Sequence, residues 1–160
     1  SRKELDKAIK HLEKSLHDDN WIDGDPTRLQ EKKGKKVLDE DKNAVKSLLK
    51  IIEGKGKASD PAIAGDASDV IQRLVQSSRL LAEVALSDAR EVLDGLESED
   101  KRAKHVAREI AKAEKELAKV QQELDNGKTD KAIDKIKKTW EHSQHAIKAV
   151  NKKEGKSDKK

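Results

Sequence analysis

The sequence contains no cysteine, methionine, phenylalanine or tyrosine, and its only aromatic residues are Trp21 and Trp140. Without cysteine there are no disulfides, thiolate metal sites or cysteine nucleophiles. Without phenylalanine or tyrosine there is no aromatic platform for stacking bases. Two prolines leave little to interrupt helices. No apolar run approaches the length needed to cross a bilayer. A chain that starts at Ser1 and holds no methionine is expected to be a piece or a processed form of a longer product, and it carries no visible signal peptide.

What the sequence does have is charge, on 42% of its 160 residues, against 33% hydrophobic. Thirty-six basic residues oppose 32 acidic ones, a net +4. The balance is uneven along the chain. Residues 66–97 carry three Arg against seven acids, a net −4, and residues 127–160 carry eleven Lys against five acids, a net +6. A nucleic-acid surface is expected to be an arginine-rich stripe with few acids. Here Lys predominates and acids are interleaved, so the charge reads as a solvated face and nucleic acid as an unfavoured partner. Weak binding of an anionic polymer through the basic C-terminal third is the remaining electrostatic alternative.

Apolar spacing predicts five helices. The first carries Leu5, Ala8, Ile9, Leu12 and Leu16, a strip that could face a core or a second copy, and it ends at His17-Asp18-Asp19-Asn20. A long irregular loop is expected next, because Asp23-Gly24-Asp25-Pro26 favours turns. The second helix, approached through Gly34 and starting near Asp39, is set by Val37, Leu38, Ala44, Val45, Leu48, Leu49, Ile51 and Ile52. Residues 54–66 read as a linker. The third helix, Ala67 to Leu96, has an apolar face wide enough to need neighbours on two sides and is expected to be central. Ser98 is the expected cap of the fourth, whose Ala103, Val106, Ile110, Ala113, Leu117, Val120 and Leu124 repeat at 3,4 spacing. Asn126-Gly127 stops it. Thr129 is expected to cap the fifth, with Ile133, Ile136, Trp140, Ser143, Ile147 and Val150 on its seam. A turn this short makes the last two helices antiparallel.

These elements predict an all-α chain: an elongated three-helix antiparallel bundle with two shorter N-terminal helices. Residues 1–151 form one helical domain, with 1–57 an N-terminal helical pair and its loop, and 66–151 the bundle. Residues 152–160 hold no apolar side chain and read as a disordered Lys-rich tail.

Two stretches carry a resemblance. Trp21-Ile22-Asp23 is followed by Gly34-Lys35-Lys36-Val37-Leu38-Asp39-Glu40-Asp41-Lys42-Asn43-Ala44-Val45-Lys46, and Asp130-Lys131-Ala132-Ile133-Asp134 runs on to Trp140-Glu141-His142-Ser143-Gln144-His145-Ala146. Together they resemble an uncharacterised helical module of exported or surface-attached multidomain proteins of archaea and bacteria. Leu38 stands where that module has phenylalanine. The resemblance implies a non-enzymatic accessory domain at the cell surface or outside the cell, and brings no cofactor; nothing in the composition excludes a cytoplasmic setting. Separately, Asn126-Gly127-Lys128 through Asp130-Lys131-Ala132-Ile133 looks like the turn of a tetratricopeptide hairpin, but the 34-residue period of that repeat does not recur.

Site chemistry is sparse. His142 and His145, three apart on one helix, could share a metal ion, with Glu141 the nearest third donor. Asp18, Asp19, Asn20, Asp23 and Asp25 form an oxygen-rich loop that could hold calcium, although Trp21 and Ile22 break the regular alternation such loops need. Trp140 is expected in the core. Gly54-Lys55-Gly56-Lys57 lacks the spacing of a phosphate loop. Carboxylates are matched by lysines at helical spacing, as in Asp134 with Lys138, so catalysis is not expected. The sequence therefore predicts a non-catalytic structural or protein-interaction module, partnered by another protein or by other domains of its parent. A metal-binding role for His142 and His145, or for Asp23 and Asp25, is the alternative.

Overall fold

A computed structural model describes residues 2–54 and 61–154. The described residues are all-α apart from one short hairpin. In order it forms α1 (Arg2–Ser15), a single 3-10 turn at Asp18–Asn20, β1 (Trp21–Ile22), β2 (Asp25–Leu29), α2 (Gly34–Ile52), α3 (Pro61–Asp94), α4 (Lys101–Ala118), α5 (Val120–Asp125) and α6 (Thr129–Glu154). Among the described residues, no helix is long and apolar enough to cross a membrane.

The hairpin replaces the irregular loop expected between the first two helices. Trp21 pairs with Leu29 and Ile22 with Asp25, antiparallel, with a bulge between the two pairs. Asn20 ties it to α1, donating its side-chain amide to the carbonyls of Lys14 and Ser15 at 2.8 and 3.1 Å. Leu29 is the hairpin's buried anchor. Arg28 clamps it to α3, donating from Nε and Nη2 to the Asp88 carboxylate at 2.9 and 3.0 Å. The Arg28 side chain is 43% exposed, so Arg28→Ala is expected to leave global stability little changed. Its visible effect is expected in faster amide exchange confined to β1 and β2.

Several boundaries differ from the sequence reading. α2 starts at Gly34, a full turn before Asp39. α3 starts at Pro61, because proline suits the first position of a helix and alanines follow it; half of the expected linker is therefore helical. Gly54 follows the end of α2 in a turn, and residues 55–60 lie outside the described residues. The expected fourth helix is divided by a break at Lys119 into α4 and α5. Its cap is Asp100 rather than Ser98: the carboxylate accepts from Arg102 N–H at 2.8 Å. Gly127, at φ +71°, closes the turn, where Lys128 N–H returns to Glu123 O at 2.8 Å. Helix α6 continues to Glu154, into the expected tail, whose residues 155–160 lie outside the described residues.

Helix α6 packs against α2, α3, α4 and α5. Its antiparallel register with α4 is fixed by contacts in order: Arg102 reaches Val150 O, Glu109 meets His142, and the Thr139 hydroxyl donates to Ala113 O. With α2 the order is again antiparallel, Lys42 bridging to Asp134 and Lys137 to Asp39. One apolar cluster gathers Leu29, α2, the first two-thirds of α3 and Ile133, Ile136 and Trp140. A second holds Leu86, Ala89, Val106, Ile110, Ala113 and Ala146, and Leu117 packs against both.

A candidate binding cleft

Helix α1 buries only part of its predicted strip. Ala8 is buried against α2, but Leu5, Ile9 and Leu16 are exposed, Leu16 at 67%. Leu16 lies at one end of a cleft of about 430 Å³ bounded by α1, the hairpin and α3, with Trp21 and Pro26 on one wall and Val70, Leu74 and Leu80 on the other. A shallower groove of about 660 Å³ adjoins it, sharing Leu16, Trp21 and Pro26 and adding Ile22. Leu16, Ile22, Val70 and Leu80 are all large apolar side chains left exposed, and all four line this surface. Exposed apolar side chains scattered singly need no explanation; their convergence on one concave surface does.

The floor of the cleft holds an acid. Asp41 lies on the buried stripe of α2, accepting from the Ser15 hydroxyl at 2.6 Å and the Ser78 hydroxyl at 3.0 Å. Burial pushes its carboxyl above the usual range, against the opposing effect of the two hydroxyls. The rim is acidic too. Asp18, Asp23 and Asp25 border the shallower groove on the hairpin side, Asp25 already paired with Arg28. Arg73 is the cation on the opposite wall.

The candidate metal residues fall in two places. Asp25 is engaged by its own hairpin: one carboxylate oxygen accepts from Thr27 N–H and Oγ1, the other from Arg28. The Thr27 and Arg28 hydrogen bonds hold its carboxyl down at about 2. Asp23 is exposed at the turn beside it. Among the described residues, the acids of this loop do not gather with a third donor into a metal-sized cluster. His142 and His145 do share a face, and the acid that joins them is Glu109 of α4 rather than the neighbouring Glu141. His105 is exposed on α4 and stands apart from them.

Asp41 and Glu109 were both missed in the sequence. Asp41 falls at helical spacing among Val37, Leu38, Ala44, Val45 and Leu48, and an acid on an apolar stripe is a readable signal. Glu109 needed the register of two helices. Comparison with protein-family models, with curated proteins and with solved structures returned no match to this chain.

Proposed function

We propose that this chain is a non-catalytic interaction module of a larger exported or surface protein, and that the cleft between α1, the hairpin and α3 is its binding face. In this reading an elongated antiparallel three-helix bundle of α3, α4 with α5, and α6 is the frame, and the two N-terminal helices with the hairpin build the face upon it. The observation that carries the reading is the convergence of Leu16, Ile22, Val70 and Leu80 on one acidic-rimmed concave surface. The partner it fits is a segment of another protein, or of another domain of the parent, with apolar side chains at helical spacing flanked by lysine or arginine. Apolar anchors would fill the cleft, and the basic flanks would meet Asp18 and Asp23 at the hairpin end of the surface. The exported or surface setting rests on the resemblance of the Trp21–Lys46 and Asp130–Ala146 stretches to the surface-protein module.

Selection from a random peptide library tests this, with the wild-type chain as target and Leu80→Asp as counter-target. Leu80 is half exposed, so the substitution is expected to leave stability within about 0.5 kcal/mol. Enriched peptides should share spaced apolar residues with basic flanks and should bind Leu80→Asp and Leu16→Asp at least about tenfold more weakly, since a central apolar anchor contributes about 1–2 kcal/mol or more. Peptides that bind the variants equally well would overturn the assignment of the face.

A further inference from the structure

On the opposite helices, α4 and α6 bring an acid and two imidazoles to one point. Glu109 is only 6% exposed, and its two oxygens have different tasks. Oε1 accepts from Lys112 Nζ at 3.0 Å, while Oε2 faces His142 Nδ1 at 2.8 Å and His145 Nδ1 at 3.7 Å. The imidazole rings stand edge to face, centroids 6.0 Å apart. One donor atom from each of the three residues lies within 4.8 Å of the other two. We propose that Glu109, His142 and His145 bind a single divalent transition-metal ion, of which zinc is the representative.

The geometry and the donor set agree on the class of ion. With bonds of about 2.0–2.2 Å to nitrogen and oxygen, the donors of a tetrahedral zinc stand roughly 3.3 Å apart. The observed 2.8 and 3.7 Å from Glu109 straddle that separation, and the two imidazole donors stand within 4.8 Å of each other, so side-chain rotation would bring all three onto one ion. Two imidazoles and one carboxylate suit zinc, copper or nickel, whereas calcium and magnesium call for a shell of oxygens. Lys112 would stay on Oε1, orienting the carboxylate so that Oε2 alone points at the ion. His145 is 59% exposed, which leaves the outer side open for water to complete the coordination. An exposed histidine pair on one helix is a weak chelate; the buried acid from the facing helix makes this a three-donor site.

The test is calorimetric titration of chelator-stripped, full-length chain with zinc, and with calcium as the contrasting ion. The expected result is one zinc per chain at micromolar affinity or tighter, no calcium heat, and a melting temperature raised by about 5–10 °C at a hundredfold excess over Kd. Glu109→Gln and His145→Ala should each weaken zinc binding by at least about tenfold. Glu109→Gln preserves shape and His145 is exposed, so a metal-free melt of each confirms folding. Zinc heat absent up to millimolar concentration would overturn the site. Binding unchanged in Glu109→Gln, or several zinc ions per chain, would overturn it equally by assigning the heat to adventitious surface groups.

Discussion

Trp140→Ala is expected to remove about 3–5 kcal/mol of stability, the range for truncating a buried aromatic. In a chain of this length that corresponds to a fall in melting temperature of roughly 6–20 °C. Trp140 is 3% exposed and belongs to the larger apolar cluster. What singles it out is its neighbour. The start of α2 lies so close that a Cβ added at Gly34 would fall 2.2 Å from Trp140 Cζ2 and 2.4 Å from Cη2. Only glycine lets the backbone approach the indole that closely. Gly34→Ala is therefore expected to cost about 2–3 kcal/mol through overpacking. In a Trp140→Ala background the space exists, and the same change should become neutral or gain up to about 1 kcal/mol from helix propensity. The measurement is a double-mutant cycle by denaturant unfolding. A Gly34→Ala cost that persists unchanged without the indole would contradict the packing described.

Asp41→Asn is expected to raise stability at neutral pH. The carboxyl is pushed up by burial, with Glu40 nearby adding in the same direction and the Ser15 and Ser78 hydroxyls opposing. A raised folded-state pKa means that the unfolded chain releases this proton first. Asp41's contribution to stability is therefore fully present below its ordinary value of 3.8 and declines as pH rises from there through the folded-state pKa. Each unit of that rise is worth about 1.4 kcal/mol. Asparagine keeps the shape, accepts from one serine and donates to the other, and removes the charge. The Asp41→Asn minus wild-type difference should vanish in acid and reach its plateau towards neutral pH. A variant that is less stable at pH 7 and unchanged in acid would mean that the ionised carboxylate is favoured in place.

The all-α class was legible because apolar residues recur at three and four over most of the chain, and α3, α4 and α6 carry that pattern longest. The hairpin was not, though its signals were present. Asp23-Gly24 is a turn dipeptide, and the inward-leaning residues of β2 alternate as Asp25, Thr27 and Leu29. Pro26 and the density of acids argued the other way, and a strand with one buried apolar residue gives periodicity little to work with. The start of α3 was obscured by Gly65. That glycine is exposed with nothing near its missing Cβ, so it costs only helix propensity, which the rest of α3 outweighs.

The site residues divide the same way. His142 and His145 were visible as a pair because three-residue spacing is local. Nothing local marks Glu109, because its place depends on which residues of α4 face α6. The turn at Asn126-Gly127-Lys128 contains that information: counting outward from it sets residue 109 beside 142–145. The cleft was legible only in its parts. Leu5, Ile9 and Leu16 read as one strip with Ala8 and Leu12, and nothing local says that Ala8 alone would be fully buried while Leu16 reaches solvent beside Trp21. That outcome depends on where α1 ends, which Asn20 fixes by closing on the Lys14 carbonyl, and on the hairpin folding back over α3, which the long-range Arg28–Asp88 pair sets.

The most direct test of the binding face is a two-dimensional NMR titration of the 15N-labelled chain with a short amphipathic Leu/Lys helical peptide, with its Leu/Glu counterpart as control. The two tryptophans report separately through their indole N–H signals, Trp21 on the cleft and Trp140 in the core. The account predicts that the Leu/Lys peptide shifts the Trp21 indole and the amides of Leu16, Val70 and Leu80, leaves Trp140 in place, and loses these effects in Leu80→Asp, while the Leu/Glu peptide does nothing. Saturable binding with shifts centred elsewhere, or no binding at all, would contradict it.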